Sequence, residues 1–207
     1  VWGPQLVHLP LGELVRYSRE ADANVAQEIA SQMQAAAERI IEPDANAMLG
    51  SARIYLGLRR IVQEYNLDAV AVHCFHLLTP LANTACYALA RLNDEGVPAT
   101  CEADVPSCVT MLFMWYLTGQ PSFLANPSSV DLRTGTVVFV HCTIPPKMCS
   151  RFSLRSHYES NLGVGIAGEP EPGPVTVVRI GGKELRDLYA VRGQLVEYGD
   201  REDLCRT

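Results

Sequence analysis

At 207 residues, with 48% hydrophobic and 19% charged side chains, the chain can bury a core and form one large or two small domains, which excludes a disordered or fibrous polymer. The net charge of −6 comes without a cluster of Lys or Arg, which excludes nucleic acid as the expected partner, because neutralising phosphates takes concentrated positive charge. No apolar run reaches the roughly 18 residues of a membrane span and no basic stretch leads into an apolar signal core, so the expectation is a cytoplasmic protein that handles a small molecule, away from membranes.

The opening "VWGPQLVHLP" has no initiator Met and starts as if partway through an element, so the chain is expected to be the back portion of a longer protein. From 11 to about 66 the pattern is helical, in "LGELVRYSREA", "NVAQEIASQMQAAAERII" and "ANAMLGSARIYLGLRRIVQEY", with Asp44 after Pro43 placed to cap the third segment. These helices carry no chemical signal and are expected to cover a sheet. "LDAVAVHCF" (67–75) is a continuous apolar, β-branched run, which suits a strand buried on both faces.

A helix over about 82–93 follows, ended by "NDEG", and then "VPATC" (97–101) reads as a second short strand. The segment Val105 to Leu117 is apolar almost all round, so a buried helix is expected. Asp104 is placed to cap it, Pro106 is tolerated in its first turn, and Gly119 and Pro121 stop it. Strand, helix, strand, helix in that order implies right-handed parallel crossovers.

After about residue 120 the runs become short and strand-like, as in "TVVFVHC", "RFSLRS", "VGIAG" and "PVTVVRIGG", separated by Pro, Gly, Asn and Asp. The expected fold is α/β: a parallel-sheet α/β domain over 1–120, then a small β-rich, barrel-like domain over 121–207. The seven cysteines are odd in number and form no CxxC pair, and Cys74, Cys86, Cys101 and Cys108 lie in apolar segments. Reduced structural thiols are therefore expected in preference to disulfides or a zinc site.

Ligands of a parallel α/β sheet collect beyond the C-terminal strand ends. The first such end carries His73 and His76, and the second carries Glu102 and Asp104. Asp104 is explained as a helix cap, whereas Glu102, two residues before it beside an apolar cleft, calls for a cation or a proton. Donors for such a cation lie downstream: Asn126, 24 positions after Glu102; His141, 15 positions further; and His157, with Glu159 close by. Carboxylate, amide oxygen and imidazole suit Mn²⁺ or a similar divalent ion better than zinc. On spacing alone a strand-end His satisfied by a backbone carbonyl is the competing reading.

The stretches "RIYLGLRRIVQEYNLDAVAVHCF", "ALARLNDEGVPATCEADVPSCVTMLFMWYLTGQPSFLANPSSVD" and "VVFVHCTIPP" resemble the L-fucose isomerase family, in particular its shorter archaeal and bacterial fucose-isomerase-like members. The resemblance runs from about residue 50 to about 180. It implies the second α/β domain plus the C-terminal barrel, without the N-terminal domain, in a homo-oligomer whose sites form between chains. The activity implied is metal-dependent aldose–ketose isomerisation, in which a divalent ion, usually Mn²⁺, binds O1 and O2 of a sugar and a carboxylate moves a proton between C2 and C1 through an ene-diol.

Under that resemblance Glu102 matches the family's first carboxylate, which binds metal and transfers the proton. Asn126 occupies the position of the second catalytic residue, His141 and His157 complete the metal set, and His73 and Asp104 are expected substrate contacts. One departure matters: the family has Asp where this chain has Asn126, and an amide cannot accept a proton. Asp104 or Glu159 substitutes for it, or the chemistry differs, or the chain is a non-catalytic carbohydrate-binding or regulatory relative. For His73 a buried core histidine is the alternative to a substrate contact.

Overall fold

The computed structural model describes residues 3–198 and 204–205. The helical stretch resolves into α1 (Leu11–Glu20), α2 (Ala23–Ala36) and α3 (Ala45–Glu64). Asp22 caps α2 by accepting from the amides of Asn24 and Val25, and Asp44 caps α3 by accepting from Ala47 N–H at 2.8 Å. Each cap satisfies first-turn amides that have no partner within the helix. Along α3 the buried residues Met48, Ser51, Ala52, Tyr55 and Leu58 recur three and four apart, which makes an inward stripe.

Between α2 and α3 lies the two-residue strand β1 (Arg39–Ile40). Strands β2 (Val70–Ala71) and β3 (Ala99–Thr100) then pair in parallel, Val70 opposite Ala99 and Ala71 opposite Thr100. Both are shorter than the apolar runs that contain them. β2 has a ladder partner on one side only, and after Val72 the chain turns into a 3-10 turn at Cys74–Leu77 and a single helical turn, α4 (Leu78–Leu81). The apolar residues at 72, 74 and 77 remain buried, so the run marks the core without marking a long strand.

The most enclosed helix is α5 (Cys86–Asp94), in which Cys86, Tyr87, Ala88, Leu89, Ala90, Leu92 and Asn93 are all buried. It packs against α3. Helix α6 (Val105–Thr118) has the expected ends, with Asp104 accepting from Ser107 N–H at 2.9 Å and Gly119 taking a left-handed φ of +63°. The expectation that α6 is buried all round is corrected: Ser107, Cys108, Thr110 and Met111 are buried, while Tyr116 is 68% and Leu117 65% exposed. It leans one flank on β2, β3 and a later hairpin, and its far end projects past them.

Beyond residue 120 come β4 (Asn126–Asp131), β5 (Thr136–Val140), β6 (Cys149–Arg155), β7 (Gly165–Pro170), β8 (Gly173–Gly181) and β9 (Asp187–Leu195). Among the described residues they form three separate sheets: hairpin β4–β5, hairpin β8–β9, and a sheet in the order β1-β6-β7. β6 runs antiparallel to β7 but parallel to β1, with Arg39 opposite Ser153 and Ile40 opposite Leu154. A strand from the helical half thus extends a sheet of the strand-rich half. The core follows that pairing: Ile144, Leu154, Val164 and Ile166 belong to the same apolar cluster as Leu14, Ile29, Tyr55 and Leu89. The chain is a mixed α/β protein with small sheets, and among the described residues no helix is long and apolar enough to cross a membrane.

Candidate functional site

Three pieces of chain converge beyond the C-terminal ends of β2 and β3. The first is the turn at Glu102 itself. Glu102 (φ +58°) and Ala103 (φ +51°) are successive non-glycine residues in the left-handed region, each costing of order 1 kcal/mol or more. The turn is held by Ala103 N–H donating to Val72 O at 2.9 Å and Asp104 N–H donating to Cys101 O at 3.1 Å. Both strand ends are thereby locked together, and the exposed Glu102 side chain is presented where they finish.

The second piece is the β4–β5 hairpin. Its register sets Asn126 opposite Val140, so Asn126 sits beside the end of β5 from which His141 emerges. His141 is 5% exposed, and its Nδ1 meets Thr143 Oγ1 at 2.9 Å, which leaves Nε2 as the nitrogen for a ligand. Burial, aided by the neighbouring His157 and opposed by Glu159, pushes the His141 pKa down to about 4. The ring is therefore neutral near pH 7 and keeps a lone pair.

The third piece is the loop after β6. His157 N–H donates to Leu162 O at 3.0 Å and Asn161 N–H donates to His157 O at 2.8 Å, closing the loop on itself. His157 is buried, with Nδ1 2.9 Å from Ser160 Oγ and Nε2 3.0 Å from Glu159 Oε2. Gly163 (φ +64°) ends the loop against Asn83 and Thr84 so closely that a Cβ there would lie 2.4 Å from Thr84 Oγ1.

Two adjoining cavities result. One, of about 190 Å³, is lined by Glu102, Asn126, His141, His157 and Glu159 together with Cys101, Cys142, Tyr158 and Cys205. The other, of about 220 Å³, is lined by His73, Phe75, His76, Cys74 and again Glu102. Glu102 belongs to both walls, and Phe75 meets the His157 ring edge-on at 5.3 Å. His73 is exposed and stacked on His76 at 5.2 Å, so the core reading of His73 is set aside.

Asp104 is not brought into either cavity lining. Its carboxylate accepts from the amide and hydroxyl of Ser107 and pairs with Arg179 Nη1 at 3.1 Å, and Arg179 also reaches the Ser107 hydroxyl. Burial alone would raise its pKa, but the Ser107 bonds and the Arg179 guanidinium outweigh that and hold it below the ordinary carboxylate value. Thr143 and Ser160, which orient the two histidines, were not singled out from the sequence. Thr143 was findable, because two residues along an extended chain lie on the same face.

The donor chemistry of the cleft suits a hard divalent ion: a carboxylate, an amide oxygen and a neutral imidazole. The donors are not drawn tight. Among the described residues, the set of three His, Cys, Asp or Glu side chains with ligand atoms all within 4.8 Å of one another is Cys86, Cys142 and His157, every one buried, and it excludes Glu102 and His141.

No family model matches the chain. Over 91 residues, 44% of the chain and 20% of the relative, it is 31% identical to a sulfoquinovose isomerase of Clostridium sp. (strain MSTE9). Over 129 residues, 59% of the chain and 29% of each relative, it is 24% identical to the sulfoquinovose isomerases of Priestia aryabhattai and of Priestia megaterium (strain ATCC 12872 / QMB1551). The match spans between a fifth and three tenths of the length of these relatives. The likeness is thus to sugar isomerases, and L-fucose isomerase is not among the names found.

Proposed function

We propose that this chain carries the site of an aldose–ketose isomerase of fucose-isomerase-like descent whose substrate is a sulfonated aldose such as sulfoquinovose. The observation that carries the reading is that Glu102, Asn126, His141 and His157, from three separate stretches of chain, line one cleft. The likeness to sulfoquinovose isomerases supports it and supplies the substrate class. The same reading includes the two-part organisation over 1–120 and 121–207 with its barrel-like second part, a homo-oligomer, and a cytoplasmic location.

Isomerisation moves the C2 hydrogen of the aldose to C1 as a proton, with an ene-diol between. Glu102 is the group for that transfer: an exposed carboxylate on the wall common to both cavities, aimed by a braced turn. His141 is held neutral and oriented by Thr143, so it offers a lone pair without carrying charge. A divalent ion such as Mn²⁺, held by Glu102, Asn126, His141 and His157, would polarise the sugar oxygens and acidify the C2 hydrogen. His73 and His76 line the adjoining cavity, where the far end of an extended sugar fits.

The test is sulfoquinovose isomerisation with Mn²⁺, followed by polarimetry or chromatography, on the parent and on Glu102→Gln. Loss of general acid–base transfer predicts a fall of about 100-fold or more in kcat. Turnover within tenfold of the parent in a normally folded Glu102→Gln protein would remove Glu102 from the chemistry.

Asn126 favours a second reading, a non-catalytic sugar-binding relative, since an amide brings neither charge nor a proton acceptor. Under that reading Asn126→Asp tightens Mn²⁺ binding in calorimetry and brings turnover toward an otherwise inactive protein. If both metal affinity and turnover stay unchanged, Asn126 is not at the site.

A further inference from the structure

Five of the seven cysteines gather at the cleft, Cys101, Cys142 and Cys205 in its wall, although none is spaced as CxxC. The thiols of Cys74 and Cys86 are neighbours of the Cys101 thiol, which these neighbours and burial push well above the ordinary thiol pKa. Cys86 Sγ is 3.1 Å from Cys142 Sγ, and the Cys205 thiol is a further neighbour of Cys142 in the cavity wall. Within the group, the two sulfurs of Cys86 and Cys142 and a ring nitrogen of His157 are mutually within 4.8 Å.

These donors sit on separate elements that the backbone ties together. Cys86 opens α5, whose next residue, Tyr87, donates its N–H to Val164 O at 2.9 Å, just past the His157 loop. Ile166 N–H donates to Cys142 O at 3.0 Å. Bond lengths of about 2.3 Å to sulfur and 2.0 Å to nitrogen put neighbouring ligands of a tetrahedral ion about 3.5–3.8 Å apart. The 3.1 Å between Cys86 and Cys142 needs to open by only a fraction of an ångström to reach that edge. No oxygen donor belongs to the set, which selects against Mn²⁺ or Mg²⁺ and for a thiophilic ion.

We infer that Cys86, Cys142 and His157 form a binding site for Zn²⁺ or an ion of its class, with a water molecule completing the tetrahedron. The cysteines are free, as the sequence expectation of reduced thiols has it, and the inference adds a ligating role for two of them. Binding releases the thiol protons to solvent as the ion takes their place. The site is distinct from the oxygen-rich set around Glu102 but draws on the same histidine. Occupancy of one therefore weakens the other; this coupling rests on the isomerase reading, whereas the thiol site does not.

The experiment is a Co²⁺ titration of the reduced full chain, read by absorbance. The expected result is a thiolate-to-cobalt charge-transfer band with intense tetrahedral visible bands, saturating at one equivalent and erased by Zn²⁺. Cys142→Ser is expected to lower Co²⁺ affinity at least tenfold, whereas Glu102→Gln leaves the bands unchanged even if isomerase activity was never present. A parent protein without the charge-transfer band overturns the inference, with no variant needed. So does a band that persists at full strength in a folded Cys86→Ser, Cys142→Ser double variant.

Discussion

Asn93, at the C-terminal end of α5, is 3% exposed and works as a strand neighbour made from a side chain. Its Nδ2 donates to Ala99 O at 2.9 Å and its Oδ1 accepts from Ala99 N–H at 2.8 Å. β3 is thus bonded on one edge by β2, through Val70 N–H to Pro98 O and Val72 N–H to Thr100 O, and on the other by a single amide. Asn93→Ala orphans the N–H and C=O of Ala99, which is fully buried. Each buried orphan costs about 1–3 kcal/mol, so the loss is about 2–6 kcal/mol. At about 2–4 °C per kcal/mol for a chain of this size, Tm falls by roughly 10 °C. Urea unfolding followed by circular dichroism measures it, with an unchanged m-value showing that the native state is the one affected. Asn93→Asp keeps the acceptor but sets a buried carboxylate oxygen against Ala99 O, so it is expected to cost at least as much as Asn93→Ala. A loss below about 1 kcal/mol for Asn93→Ala would refute the idea that this side chain anchors the strand carrying Cys101 and Glu102.

Two further outcomes follow from the cleft. Gly163→Ala combines a left-handed φ of +64° with a Cβ 2.4 Å from Thr84 Oγ1 and 2.7 Å from Asn83 Oδ1, which costs about 2–4 kcal/mol; an unchanged Tm would show that the loop does not press on Asn83 and Thr84. For His141, the folded pKa is depressed from 6.5 to about 4, so folding favours its neutral form. That contribution is complete above pH 6.5 and is lost as pH falls from 6.5 through 4, where the unfolded chain binds a proton the folded one refuses, for about 3 kcal/mol in all. The stability difference between the parent and His141→Gln should be flat above pH 6.5 and shrink across that window. A difference independent of pH would mean that His141 is not buried as described.

Features decided by a few adjacent residues were readable from the amino-acid order alone. Asp44 and Asp104 cap helices because a short acceptor before a run of unpaired amides acts locally, and Gly119 ends α6 because a left-handed residue is needed there. The neighbourhood of His73 and Glu102 followed from the two apolar runs that contain β2 and β3, although each strand is shorter than its run. The choice of Asn126, His141 and His157 as partners of Glu102 drew on the resemblance, since by donor type and spacing a strand-end histidine bonded to a backbone carbonyl fits as well as a metal ligand. Other properties depended on groups far apart in the chain. β2 is two residues long because the chain leaves the ladder for the turn at Cys74–Leu77, and α6 is half exposed because its neighbours cover one flank. β1 joins β6 by pairing Arg39 with Ser153, a contact that no local preference encodes. The thiols of Cys86 and Cys142 approach to 3.1 Å from 56 positions apart, so no spacing rule detects them. Capping and chain reversal are settled by the dihedral preferences and hydrogen bonds of neighbours in sequence, whereas convergence of donors needs the backbone pairing and core packing that only the folded chain supplies.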